Sequence, residues 1–235
     1  MIAVYAGGVS GARAAARAGS TIVVVDALRA STTIAVLLSK GARVVPVASI
    51  EDGASIAADF RVGERGSTKV EGFDFGNSPT EILAAEIQPG STVALSTTNG
   101  TRIIEAASRA PAIFTGAFVN ATALADVLAT DSAGGRVTVV GCGWEGHHAS
   151  EDEAAAGAIL YRLRSRGTKL DGRAGRAVER YLSRPVKALL NNSAARRLKQ
   201  LGYERDLEFC LSEDTVPVVP CLVGGTFVGC VLGSG

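Results

Sequence analysis

Net charge is almost absent from this sequence: 24 lysines and arginines oppose 23 aspartates and glutamates, for a formal +1 at pH 7. Without a global field there is no electrostatic case for nucleic acid or an acidic membrane surface, and any anion must be held by local groups. Cysteine is sparse. Cys142, Cys210, Cys221 and Cys230 form no CxxC pair, which argues against structural zinc, and a chain this long needs no covalent staples, so reduced thiols in a cytoplasmic protein are expected. The opening residues Met1 to Tyr5 lack the basic segment and cleavage region of a secretion signal. The most apolar stretch, Val216 to Leu232, is interrupted by Pro217, Pro220, Gly224, Gly225 and Gly229, so it reads as two strands about a Gly-Gly turn rather than a membrane span. Covalent phosphatase motifs are missing as well: neither Cys142 nor Cys210 has an arginine six residues on, there is no Arg-His-Gly, and Leu28 stands where a phosphoaspartate motif needs its second acid.

What is present is enough apolar material for a full core: 235 residues, 47% hydrophobic and 20% charged. Strand-like and helix-like stretches alternate, which predicts an α/β fold with a mostly parallel sheet and helices on both faces. We expect a single domain over residues 1–235, with two similar half-repeats near 1–90 and 91–235. Strands are expected at Ile2 to Ala6, Thr21 to Val25, Arg43 to Val47, Ser91 to Ser96, Ala112 to Thr115 and Arg136 to Val140. A helix is expected from about Glu51 to Phe60 and a long loop from Val62 to Pro79, after which Ser78, Pro79 and Glu81 spell a strong helix start. Residues 167–206 read as short surface helices. The apolar strands near the C-terminus are compatible with a homodimer.

Around Thr21 to Thr33, TIVVVDALRASTT, the rest is organised. A run of β-branched residues ends at Asp26, and Arg29, Ser31, Thr32 and Thr33 lead into a helix whose free N–H groups favour an anion. The stretch Thr97 to Arg102 repeats the scheme after a later strand, with Thr98, Asn99, Gly100, Thr101 and Arg102. Ser, Thr and Asn cap helices in most proteins, but two matched turns with one arginine each form a kit for phosphate or sulfonate. Arg65, in the glycine-rich loop, is a third candidate cation. After the strand ending near Val140 come Glu145, His147, His148, Glu151, Asp152 and Glu153. Ser150 and Glu153 match a capping box, whereas Asp26 with Glu151 or Asp152 offers the hard oxygen ligands that Mg²⁺ prefers. Metal-assisted attack by water on a phosphate ester is the simplest chemistry for this set, with Asp26 as nucleophile or general base the second choice. Gly141, Gly143 and Gly146 also match GxGxxG, which would make the protein a dinucleotide-dependent oxidoreductase, but the helix start at Ser150 comes too late and no strand at 165–172 ends in an acid. A non-catalytic anion-binding module is the remaining alternative.

Seven blocks, VVVDALRASTT, VPVASIEDG, GERGSTKVEGFDFGNSP, STTNGTR, GAFVNA, SEDEAAAGA and CLSEDTVPVVP, spread in this order over most of the chain, resemble the 2-phosphosulfolactate phosphatases of coenzyme M biosynthesis. The resemblance implies a three-layer α/β/α fold and a Mg²⁺-dependent phosphatase acting on a phosphorylated, sulfonated hydroxy acid or a related small phosphorylated acid. It implies a site at Asp26, Arg29, Ser31, Thr32, the loop from Glu64 to Ser78, Asn99, Thr101, Arg102, Glu151 and Asp152. Together with the residue-level reading, we expect Asp26, Arg29 and Arg102 to act in catalysis, Ser31, Thr32, Thr33, Glu64, Arg65, Asn77, Ser78, Thr98, Asn99, Gly100 and Thr101 to surround the substrate, and Asp26, Glu151 and Asp152 to hold the metal.

Overall fold

The computed structural model describes residues 1–131 and 135–230. The chain runs β1 (Ile2–Gly7), α1 (Gly8–Arg17), β2 (Thr21–Val25), α2 (Ala30–Ser39), β3 (Arg43–Val47), α3 (Ile50–Ser55), β4 (Phe60–Arg65), β5 (Thr68–Lys69), α4 (Pro79–Ala84) and β6 (Thr92–Ser96). It continues through α5 (Gly100–Ala106), β7 (Ile113–Thr115), α6 (Ala121–Asp131), β8 (Arg136–Gly141), α7 (Ser150–Ser165), β9 (Lys169–Leu170), α8 (Gly172–Ser183), α9 (Ser193–Gln200), α10 (Glu204–Cys210), β10 (Val219–Val223) and β11 (Thr226–Cys230). One sheet runs through all of it, in the order β5-β4-β6-β3-β11-β10-β7-β2-β8-β1-β9.

Both faces of this sheet are covered, as a strand without polar alternation requires. Along β2, Val23 and Val25 pack with Leu124, Ile159 and Leu160 of α6 and α7, while Ile22 and Val24 pack on the opposite face with Ala12, Ala16 and Ile103 of α1 and α5. A further cluster sets Leu37 of α2 and Ile82 of α4 against Val44, Val62, Val93 and Phe227 of the sheet. The expected helix start at α4 forms, with the Ser78 side chain accepting from Glu81 N and Pro79 in the first turn.

Three expectations are corrected. The helix ends at Ser55 rather than Phe60, and Phe60–Arg65 is a strand running parallel to β6, so the expected long loop contains a sheet member. Its register is set by non-local pairing and a packed ring: a Cβ on Gly63 would stand 2.9 Å from the Phe73 ring. The C-terminal hairpin lies inside the sheet, antiparallel to β3 on one side and β7 on the other. Its apolar residues are used within the chain, which removes them as an argument for self-association. Third, Cys221 and Cys230 form a disulfide, with Cα atoms 5.9 Å apart, because hairpin pairing brings Cys221 opposite Val228 and Cys230 opposite Val219. Only Cys142 and Cys210 are free, and both are buried. Among the described residues no helix is long and apolar enough to cross a membrane.

Candidate active site

Strand β2 buries Ile22 to Val25 and releases the chain at Asp26, which is partly accessible at the carboxyl edge. The turn that follows, with a cis peptide between Leu28 and Arg29, is closed by Ser31. Its hydroxyl accepts from Asp26 N at 2.9 Å and shares a hydrogen bond with Thr115 Oγ1 at 2.7 Å. The first turn of α2 donates Ala30 N to Asp26 Oδ1 at 3.4 Å, so the chain's own carboxylate already faces that helix end.

The matched turn after β6 arrives at the same place. A Cβ on Gly100 would stand 3.2 Å from Thr97 Oγ1 and 3.7 Å from both Ala30 Cβ and Asp26 Oδ2, so the absence of a side chain lets the two turns approach. Thr101 points inward and donates to Thr97 O at 2.9 Å, and Asn99 Oδ1 accepts from Glu145 N at 3.3 Å. Arg102 does not join them. Helical rotation carries the residue after Thr101 to the outer face, where Arg102 lines a groove with Arg13, Arg17 and Arg109 that does not include Asp26.

Four acids gather behind these turns. Glu64, at the end of β4, accepts from Ser67 N at 2.8 Å through Oε2 and from Thr98 N at 2.7 Å through Oε1. Asp152 bridges two strand ends, accepting from Ala27 N at 2.9 Å and Gly143 N at 2.8 Å. Glu151 Oε2 accepts from Asn192 Nδ2 at 2.8 Å. Burial, then the charge of Glu64, and then that of Glu151 against the opposing Ala30 N–H, push Asp26 up to about 7, with Arg29 pulling the other way. Burial, followed by Asp26 and Glu151, drives Asp152 well above the usual carboxylate range. Such an excess of buried negative charge is the setting in which a hard divalent cation is stabilising. No three His, Cys, Asp or Glu side chains among the described residues are grouped to hold a metal ion, and both Asp152 oxygens are engaged by backbone N–H groups. The donor chemistry therefore fits Mg²⁺ in its sparse form, on one or two carboxylates with water and substrate oxygens completing the shell.

Arg29 is 2% exposed and engaged at both terminal nitrogens: Nη1 pairs with Asp206 Oδ2 at 2.7 Å, Nη2 donates to Ser67 O at 2.8 Å, and the Tyr203 ring centroid lies 4.1 Å from the guanidinium carbon. It is a fixed charge beside Asp26 rather than a free clamp. Asp206, absent from the sequence-level candidates, also accepts from Ser78 Oγ at 2.8 Å, Thr80 N at 3.1 Å and Thr80 Oγ1 at 2.5 Å. Its signal was the spacing of Tyr203, Asp206, Leu207 and Cys210, one inward helical stripe with an acid in it. Arg197 is a second omission: it stacks on Trp144 at 4.2 Å and donates to Ser67 Oγ at 3.1 Å. Arg65 donates to Glu64 O at 2.6 Å and Ser96 Oγ at 2.9 Å.

Thr32 Oγ1, Thr33 Oγ1, Asn77 Oδ1 and Thr98 Oγ1 are buried without a hydrogen-bond partner, although the Cys210 thiol, pushed up to about 12 chiefly by burial, lies beside Thr32. All four residues are among those the sequence marks for substrate, and such orphans each cost about 1–3 kcal/mol. The capping-box expectation for Ser150 and Glu153 fails: α7 starts on Ala149 without a side-chain cap, and Glu153 instead pairs with His148 at 3.0 Å and with Arg180. The glycine turn is a local closure, with Trp144 and His147 exchanging backbone hydrogen bonds at 2.9 Å and a Cβ on Gly143 colliding with His147 O. A strand does end in an acid at 165–172, contrary to expectation, but that acid, Asp171, accepts from Ala174 N at 2.7 Å and caps α8. Nothing in this turn reproduces a dinucleotide fingerprint.

The family model described as 2-phosphosulpholactate phosphatase matches residues 10–225. A probable 2-phosphosulfolactate phosphatase of Thermotoga petrophila is 39% identical over 215 residues, covering 88% of this chain and 91% of that protein. One of Thermosynechococcus vestitus is 37% identical, covering 84% of this chain and 87% of that protein. Spanning both turns, the four acids and the segment that carries Asp206, these matches establish that the chain belongs to the 2-phosphosulpholactate phosphatase family.

Proposed function

We propose that the chain hydrolyses the phosphate monoester of 2-phosphosulfolactate, or of a closely related small phosphorylated hydroxy acid, to the free hydroxy acid and inorganic phosphate. The observation that carries this reading is Asp26: a carboxyl group, partly accessible, at the point where two hydroxyl-rich helix starts touch. A carboxylate so placed has one oxygen for a cation and one to take a proton from water. In the proposed step water attacks phosphorus, one of its protons passes to Asp26, the phosphorus–oxygen bond to the hydroxy acid breaks, and Asp26 returns that proton to the leaving oxygen.

Around the reacting centre, Arg29 supplies positive charge whose position Asp206 fixes, and Thr98, bonded to Glu64 through its N–H, has a hydroxyl without a partner in the protein. Mg²⁺ is part of the proposal: Asp26 and Glu151 would hold it, and the ion would draw charge from the phosphate when bound. Asp152 ties the turn after β2 to the turn after β8 rather than offering a free oxygen.

The test is phosphate release from 2-phosphosulfolactate and from other phosphorylated hydroxy acids, with Mg²⁺ and with chelator. Wild type is expected to release phosphate only with Mg²⁺, and Asp26→Asn to lose about 100-fold or more in kcat, the usual scale for a general base. An Asp26→Asn protein as active as wild type overturns the assignment.

A further inference from the structure

A second cavity opens at the carboxyl edge, beside the Asp26 cluster. It measures about 550 Å³ and lies where β1 and β8 end, walled by Tyr5, Ser10, Gly141, His147, Asp152 and Arg173 among others. Among its glycines and small apolar residues the wall carries one arginine, Arg173, and the hydroxyls of Tyr5 and Ser10. Arg173, exposed at the start of α8, has no ion-pair partner among the described residues. Helix α1 begins on Gly7 without a side-chain cap and with no acid in its first turn. The one acid in the wall, Asp152, already has both oxygens on backbone N–H groups. Room is deliberate at the base, since a Cβ on Gly141 would stand 2.9 Å from the Tyr5 hydroxyl and 3.3 Å from Asp152 Cβ. Asp152 is shared between this cavity and the Asp26 cluster, so the two open on neighbouring strand ends.

We infer that this cavity is the subsite for the second strong anion of the substrate, a sulfonate, with Arg173 the specificity-determining cation and the Tyr5 and Ser10 hydroxyls as neutral donors beside it. The inference rests on the proposed phosphatase reading and locates the substrate's remote end within it. A sulfonate keeps its charge at any physiological pH and presents oxygens in several directions, which suits a guanidinium with hydroxyls spread around it better than a single bidentate pair. Gly141 gives the Tyr5 hydroxyl its place beside Asp152 at the base of this subsite.

The experiment compares kcat/KM for 2-phosphosulfolactate with kcat/KM for 2-phospholactate, which carries a methyl group in place of the sulfonated carbon. In Arg173→Ala the preference for the sulfonated ester is expected to fall about tenfold or more, through KM rather than kcat, with Arg173→Lys intermediate. Arg109→Ala, which removes a surface arginine elsewhere, is the control for general loss of positive charge. An unchanged preference in Arg173→Ala overturns the subsite. Calorimetric titration of sulfolactate separates the two proposals: if wild type releases phosphate from neither ester, binding of sulfolactate that weakens about tenfold in Arg173→Ala still supports the subsite. Absence of such binding in wild type overturns it.

Discussion

At Asp26 the ordinary acidity of a carboxyl group is undone by burial and by Glu64 and Glu151, so that it titrates at about 7. The unfolded chain would titrate the same group near the ordinary value of about 4. The folded protein therefore holds this proton more tightly than the unfolded one, and the stabilisation, complete below about pH 4, is lost as pH rises through about 7. The effect amounts to about 2–4 kcal/mol after allowance for the accessible part of the side chain. Asp26→Asn should accordingly be more stable than wild type at pH 8.5 and lose that advantage at pH 4.5. Denaturant titrations at the two pH values check this, and a constant difference would mean that the carboxyl is not the titrating group. The same geometry predicts a response to Mg²⁺ apart from turnover: at pH 8.5 the ion should raise the Tm of wild type, by relieving crowded charge, and raise that of Asp26→Asn less. Equal shifts in both proteins would remove Asp26 from the ion's ligands.

Among the elements, the β10–β11 hairpin has the largest structural consequence, because it joins the two parallel parts of the sheet. Phe227 lies fully buried at its centre, opposite Val44 of β3. Truncation to alanine would leave a cavity between sheet and α2, and Phe227→Ala should cost about 3–5 kcal/mol in chemical denaturation. The disulfide within the hairpin predicts that only two of the four cysteines react with a thiol reagent in denaturant without reductant, Cys142 and Cys210. Four reactive thiols would show that Cys221 and Cys230 are not bonded. How far the elements were legible follows from the range of the forces that make them. Strand β2, the Ser78 start of α4 and the two matched turns are set by burial and caps within a few residues, and these were readable. Strand β4 was not, since it carries Gly63, Glu64 and two arginines and owes its place to β6 and the Phe73 ring. The hairpin itself was recognisable from Gly224 and Gly225, but its position between β3 and β7 depends on partners far away in the chain. Its disulfide was within reach, because pairing across a Gly-Gly turn puts Cys221 and Cys230 on neighbouring positions of two strands.

On the scale of the whole molecule, residues 186–210 act as a strap over the carboxyl edge. Asn192 holds Glu151, Arg197 holds Ser67 and stacks on Trp144, Tyr203 faces Arg29, and Asp206 pairs with Arg29 from 177 residues away. This convergence was illegible in sequence because each contact joins a short helix to a turn formed much earlier, and the segment's own pattern reads only as amphipathic surface helices. The strap also explains why Arg29 is not a free anion clamp: the ion pair that holds it is 2% and 1% exposed at its two ends, so either partner alone would be a desolvated charge. Breaking the pair from one side should cost about 3–5 kcal/mol, whereas replacing both charges with apolar groups should cost much less. The expected order of stability is wild type, then Asp206→Leu combined with Arg29→Met, then Asp206→Ala, measured by urea denaturation at pH 7. Asp206→Asn, which keeps the shape and still accepts from Ser78 or Thr80, should lie between the double variant and Asp206→Ala. If Asp206→Ala costs less than about 1 kcal/mol, the pair is behaving as a surface ion pair does, and the strap is held by its apolar contacts at Leu198 and Leu207 instead. A large cost in Asp206→Ala that the added Arg29→Met removes would identify the unpaired guanidinium as its source, and with it the reason this late segment is fastened to the turn that carries Asp26.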